Sequence, residues 1–400
     1  MQQIGLSKSG LQRLHDAMAA HVDRRDLPGV VTALTRHGTT MVDAIGSQSF
    51  EGAAPMRPDS IFRIASLSKP IAAAATMMLI EDGRLALDEP VNRLLPELAN
   101  RQVLKRLDGR IDDTVPAARP ITVSDLLTLR MGIGAIMAPG DYPIVDAMIE
   151  RGVAVGPVLP DAPTPDAWIA GVGQLPLMRQ PGEAWMYDTG LTVLGVLIAR
   201  ASGQTLAGFL RQRLFDPLSM LDTGFSVSPG QLDRLTGSYR RDPATGSLVI
   251  FDPAGAASRF SREPGFASAS GGLVSTANDV LAFAAMMLNH GEHQGKRLLS
   301  ERSVRLMETD HITPAQKATS PFVPGFWEKT GWGYGLAVIQ RHDSGDPRGS
   351  GWTGGYGTAA FWDRETGLAH VLLTQRMMDS PTPPAVYVDF WRGVYEAIDS

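Results

Sequence analysis

The chain of 400 residues contains no cysteine. That absence removes disulfide frameworks, thiol nucleophiles, cysteine-ligated zinc and iron–sulfur clusters together, so any covalent nucleophile must be another residue type. A strong excess of one charge is also lacking, since 37 Lys and Arg face 42 Asp and Glu for a net charge of −5. Weak acidity of this kind offers no footprint for a polyanion, and no nucleic-acid partner is expected. No apolar run reaches the roughly 18 residues that span a bilayer. The longest runs only from Ile71 to Ile80, so no membrane partner is expected.

Two common catalytic signatures are missing as well. No serine has glycines at both −2 and +2, which disfavours the nucleophile elbow of the α/β-hydrolases. There is no H-E-x-x-H, and His290 and His293 in NHGEHQG lie at a glycine-rich turn without an evident third ligand. Neither a metal nor another cofactor is expected. The N-terminal segment has no basic stretch followed by a continuous apolar one. Leu11, Met18 and Val22 are spaced as on an amphipathic helix, and a cytoplasmic location is the expectation.

What is present is an ordinary globular composition, 44% hydrophobic and 20% charged, long enough for about two or three structural units. GVVTALTRHGTTMVDAIG reads as a hairpin over Gly29 to Gly46 turning at His37-Gly38. Helical spacing then dominates over Ser66 to Asp82, Val123 to Leu129 and Leu191 to Ala201. The stretch from Pro139 to Pro181 is so rich in proline that it reads as a long loop region. TGWGYGLAVIQ, YGTAAFWD and LAHVLLTQ read as strands, and a last helix is expected from Val386 to Ile398. Strands at both ends with helices between them imply a discontinuous sheet unit.

One tetrapeptide carries chemistry. Ser66-Leu67-Ser68-Lys69 is the sole S-x-x-K in the chain and opens a predicted helix, so Ser66 and Lys69 share a face about one turn apart. A serine hydroxyl is a poor nucleophile until a neighbour takes its proton, and a lysine can do so where its surroundings lower its pKa. A capping serine beside a solvated lysine would spell the same four letters.

Further blocks stand in order along the chain: ITVSDLLTL, PGEAWMYDTGLTVLGVLIARASG, LRQRLFDPLSMLDTGF, ASGGLVSTANDVLAFAAMMLNHG and GWTGGYGTAAFWDRETGLAHVLLTQ. With SLSK they resemble the serine β-lactamase and penicillin-binding-protein superfamily over nearly the whole chain, most closely the class C β-lactamase-like branch that includes the family VIII carboxylesterases. The resemblance implies an α+β, two-domain transpeptidase-like fold with an antiparallel sheet flanked by helices and a mainly helical domain. Residues 1–62 and 265–400 would form the sheet domain and 63–264 the helical one, with the active site in the groove between them.

By the same resemblance, Tyr187 begins the second motif and its phenol would contact the serine. Thr189 departs from the Tyr-x-Asn form, and Asp188 and Thr189 are expected at the substrate. The third motif is Lys-Thr-Gly in β-lactamases, and a literal match exists at Lys329-Thr330-Gly331. Trp352-Thr353-Gly354 instead occupies the family's place for it, before DRETG and the last strand, and is expected to bind substrate. The N–H groups of Ser66 and Gly355 would form the oxyanion hole. Trp352 in place of lysine puts an apolar wall where an anionic substrate would need a charge. The implied activity is therefore a serine carboxylesterase acting on small-molecule, short-chain acyl esters, with Ser66, Lys69 and Tyr187 as its catalytic set. A β-lactamase or D-aminopeptidase, an acyltransferase and a non-enzymatic binding paralogue are the alternatives, and the oligomeric state is open.

Overall fold

The computed structural model describes residues 5–52, 54–156 and 163–398. Its centre is a seven-stranded, wholly antiparallel sheet made from both ends of the chain. Strands β1 (Gly29–Arg36) and β2 (Thr39–Gly46) join β3 (Thr330–Trp332), β4 (Ala337–Ile339), β5 (Ser350–Gly354), β6 (Thr358–Asp363) and β7 (Leu368–Thr374). The spatial order is β3-β4-β5-β6-β7-β1-β2. The expected hairpin turns at His37 and Gly38, both left-handed at φ 50° and 77°, which matches the twist of the strands it connects.

Alternation decides which face each side chain reaches. Val30 and Leu34 of β1, with Leu368 and Leu372 of β7, pack under helix α1 (Lys8–Asp23) and the C-terminal helix (Ala385–Glu396). Val31, Ala33, Ala369, Val371 and Leu373 point the other way, into the larger core that continues through the helical middle of the chain. Both faces are covered, so β1 and β7 are apolar nearly throughout rather than alternating.

That middle is built around helix α2 (Ser68–Glu81), which is buried from Ser68 to Leu79. Its AAAATMML sequence is apolar on every side, as a core helix must be. Around it lie α3 (Val123–Leu127), α4 (Pro143–Glu150), α5 (Pro165–Gln174) and α6 (Thr189–Ser202). Helices α4 and α5 fall where the proline-rich stretch predicted only loop. Pro143 and Pro165 stand at the starts of the two helices, where proline's missing N–H has no intrahelical partner to lose. Residues 157–162 of that stretch lie outside the described residues. Among the described residues, no single helix is long and apolar enough to cross a membrane.

Candidate active site

Ser66 does not open the α-helix, as its spacing suggested. It lies in a separate 3-10 turn, Ala65–Leu67, and α2 starts at Ser68. The turn begins with Ala65 in the left-handed region at φ 45°, a conformation that costs a residue with a Cβ about 1–3 kcal/mol. Neighbours hold it there. Thr358 Oγ1 donates to the carbonyl of Ile64 at 2.9 Å, and Gly354 passes so close to that carbonyl that a Cβ would collide with it. Strand β5, bearing Trp352-Thr353-Gly354, is thereby clamped beside the serine turn.

From the first turn of α2, Lys69 returns toward Ser66. Its fully buried ammonium donates to Ser66 Oγ at 3.0 Å, to Asp188 Oδ1 at 2.6 Å and to the carbonyl of Ser270 at 2.7 Å. Burial pulls the lysine pKa down, but the carboxylate of Asp188 and the phenol of Tyr187 outweigh it, and the net displacement is upward. Lys69 therefore does not meet the condition of a lowered pKa under which a lysine accepts the serine proton, and it rests as an ammonium.

Tyr187 is fixed by its backbone. Met186 N–H donates to Leu129 O at 2.8 Å, and Tyr187 O accepts from Ala135 N–H at 2.9 Å, so the ITVSDLLTL block and the segment after it seat the second motif. The phenol ring lies with its centroid 4.5 Å from Lys69 Nζ. Its hydroxyl accepts from the indole Nε1–H of Trp352 at 2.7 Å. Among the described residues it makes no hydrogen bond to Ser66 Oγ. Trp352 is thus more than the apolar wall anticipated, since it aims a donor at the oxygen of Tyr187.

Asp188 and Thr189 were expected at the substrate, and their surroundings differ from that. Thr189 is buried at the first position of α6. Asp188 reaches the groove wall, but the partner of its carboxylate is Lys69. Its backbone, at φ 85° and ψ −64°, forms the rare and strained kind of γ-turn, closed by Thr189 N–H donating to Tyr187 O at 3.3 Å.

Ser66 and Gly355 both line the groove, and the amide of neither donates to a backbone or side-chain acceptor among the described residues. Thr353 lines the same wall, while Gly354 makes the close approach to Ile64. The literal Lys329-Thr330-Gly331 lies two strands away, leading into β3, with Lys329 bound to Asp343 and Asp346.

The groove encloses about 610 Å³ and is mainly apolar. One side is an aromatic cluster in which Trp352 stands 4.8 Å from Trp332, 5.8 Å from Tyr187 and 6.2 Å from Phe326 between ring centroids. Val155 comes from the proline-rich stretch and Met137 from just before it, and Met377 and Met378 come from the segment after β7. Sequence reasoning passed over Ser270, although it sits in the ASGGLVST block, and Phe322 and Phe326, whose signal was the aromatic-rich SPFVPGFWEK. No group of three potential metal-binding side chains occurs among the described residues.

Comparison with known proteins gives the same picture. The family model described as Beta-lactamase matches residues 14–387. Protein Rv1367c of Mycobacterium tuberculosis is 36% identical over 355 residues, covering 87% of this chain and 85% of that protein. Esterase EstB of Burkholderia gladioli is 32% identical over 378 residues, covering 90% of this chain and 89% of EstB. In three dimensions, the structure of EstCE1, titled a hydrolase with promiscuous acyltransferase activity, superposes with a TM-score of 0.78 at 22% identity, over 98% of this chain and 99% of that one. A serine turn clamped by β5, a buried lysine and an overlying tyrosine are arranged on a fold that this match spans almost from end to end, and the chain belongs to the Beta-lactamase family.

Proposed function

We propose that the protein is a serine carboxylesterase working through an acyl-enzyme on Ser66. The observation that carries this reading is the 3.0 Å contact of Lys69 Nζ with Ser66 Oγ, beside two groove-lining residues, Ser66 and Gly355, whose amides have no acceptor among the described residues. In this reading Ser66 Oγ attacks the ester carbonyl, and the Ser66 and Gly355 N–H groups receive the developing oxyanion. Lys69 and Tyr187 handle the serine proton and return it to the leaving alcohol. Water then cleaves the acyl-enzyme by the same steps in reverse order. No cofactor enters this scheme. We place the groove between a sheet unit, residues 1–62 and 265–400, and a helical unit, residues 63–264. The esterase relative EstB, similar over nearly the full length of both chains, supports ester hydrolysis as the chemistry.

The lining supports an uncharged ester. Trp352 offers an indole where a lysine would attract a carboxylate, and the cations Lys69 and Lys329 are paired with Asp188 and Asp346, which leaves Arg341 as a lining cation with no carboxylate partner among the described residues. At about 30 Å³ per water-sized group, 610 Å³ holds on the order of twenty non-hydrogen atoms. A short acyl chain fills only part of that space, which supports a bulky apolar alcohol as its partner.

The test compares hydrolysis of p-nitrophenyl butyrate and nitrocefin by the wild type and by Ser66→Ala. Turnover of butyrate well above nitrocefin, abolished in the variant, is the expected result. Preference for nitrocefin would replace the esterase with a β-lactamase, and full activity in Ser66→Ala would sink the mechanism. Adding an apolar alcohol to the butyrate assay and looking for new ester separates hydrolysis from acyl transfer.

A further inference from the structure

Asp188 is the charged group in contact with Lys69 that the scheme above leaves without a task. The titratable side chains facing Lys69 Nζ are Asp188 and Tyr187, both from the turn before α6. The Ser66 turn brings a hydroxyl and the Ser268–Gly272 segment a carbonyl, neither of them charged. Trp352, from β5, reaches the cluster only through the oxygen of Tyr187.

We propose that Asp188 is a positioning residue that holds Lys69 as a permanent cation, leaving Tyr187 to exchange the proton of Ser66; this rests on the reading of Ser66 as the nucleophile. An ammonium has three donors, and all three are taken, by Ser66 Oγ, Asp188 Oδ1 and Ser270 O. The same contacts can be drawn for a neutral amine accepting from Ser66, so the carboxylate decides between the two. Removing the lysine proton would leave Asp188 a shielded anion with no counter-charge. The backbone of Asp188 supports a dedicated role, because a strained γ-turn is what aims this carboxylate down at α2.

The proton path then runs through one oxygen. During acylation Ser66 Oγ bonds to the ester carbon, and its proton passes to Tyr187 Oη in one relay in which the phenol's own proton moves on toward the ester's leaving oxygen. The phenol gives its own proton to the alkoxide as the carbon–alcohol bond breaks. During deacylation a water proton passes to Tyr187 Oη and the phenol proton to Ser66 Oγ as the acyl bond breaks. Tyr187 ends each half-reaction as it began, and Lys69 stays charged throughout, steadying the serine oxygen as it gains negative charge.

The experiment is the pH dependence of kcat/KM for p-nitrophenyl butyrate in wild type, Asp188→Asn, Asp188→Glu and Ser66→Ala, with folding followed by circular dichroism and thermal melts. In Asp188→Asn, burial acts on Lys69 without its carboxylate, so the alkaline limb should move down by on the order of 1–3 pH units. Asp188→Glu should restore it. A folded Asp188→Asn enzyme whose alkaline limb stays in place, or whose acidic limb moves down so that it gains activity near neutrality, overturns the proposal. The latter result would make neutral Lys69 the base. Should Asp188→Asn fail to fold, the wild type decides alone: kcat/KM that keeps climbing above the ordinary lysine value of 10.5 overturns the proposal, and a decline there supports it. Retained activity in Ser66→Ala removes the parent reading and this one with it, whereas loss of activity there with an unmoved limb in Asp188→Asn removes this one alone.

Discussion

Lys69 and Lys329 each belong to a stretch that matches a β-lactamase signature, and each has a carboxylate oxygen at 2.6 Å, yet the two regions behave differently. The side chain of Lys69 is 0% exposed and that of Lys329 is 42% exposed. Lys329 is raised chiefly by its hydrogen bonds to Asp343 and Asp346, with burial a minor opponent. At Lys69 burial is the leading influence, and the carboxylate has to overcome it. The exposed pair is screened and replaceable, and pairs of that kind contribute little. The buried one fixes a charge beside a nucleophile. His370, on β7, completes the comparison. It is fully buried and faces no carboxylate, and burial alone pushes its pKa down to about 3. Burial thus lowers an unpaired cation and, given a counter-ion, locks a paired one.

The comparison can be broken most severely at the serine. Ser66→Ala should lose on the order of ten-thousandfold to a millionfold in kcat, read from butyrate hydrolysis, because the groups act as a unit. Tyr187→Phe removes the proton carrier and leaves the ring beside Lys69, so a drop of about a hundredfold to ten-thousandfold is expected in single-turnover acylation. A smaller effect would return the proton to Lys69.

His370 sharpens the contrast through stability. The native state keeps the imidazole neutral down to about pH 3, while the unfolded chain takes a proton below the ordinary value of 6.5. Stability present above pH 6.5 should therefore fall as pH drops toward 3, by at most about 1.4 kcal/mol per pH unit from this group. Urea melts at several pH values should show a shallower slope in His370→Gln; identical slopes would mean the histidine titrates normally. Trp352→Phe keeps an aromatic ring but removes the donor to Tyr187. Loss of one such hydrogen bond is worth about 0.5–1.5 kcal/mol, so kcat/KM should fall roughly two- to tenfold. The least effect belongs to Lys329→Ala, at a residue on the groove wall away from Ser66, which should change ester turnover by no more than about twofold and denaturant stability by no more than about 1 kcal/mol.

Much of this was legible in residues. The hairpin over Gly29 to Gly46 follows from its β-branched run and His37-Gly38 turn, and α2 from its apolar length. Pairing of β1 with β7, in which Arg36 meets Leu368 and Val30 meets Thr374, is less legible, because nothing local in GVVTALTR names its partner. The proline-rich stretch misled because proline reads as a breaker, whereas Pro143 and Pro165 start helices. At the site, spacing indicates that Ser66 and Lys69 are neighbours. The 3-10 turn at Ser66 depends on Ala65 being held at positive φ by β5 and Thr358, contacts from the far end of the chain.

By itself, the sequence determined the absence of thiol chemistry, the S-x-x-K pair one turn apart and the order of the family's blocks, since composition and helical spacing are properties of the chain alone. Tertiary structure decided the charge of Lys69, the partner of Asp188 and the second task of Trp352. Those depend on burial and on distances of a few ångströms between segments over a hundred residues apart, Lys69 with Asp188 and Tyr187 with Trp352. Electrostatics in a shielded site depends on those distances, and only folding sets them.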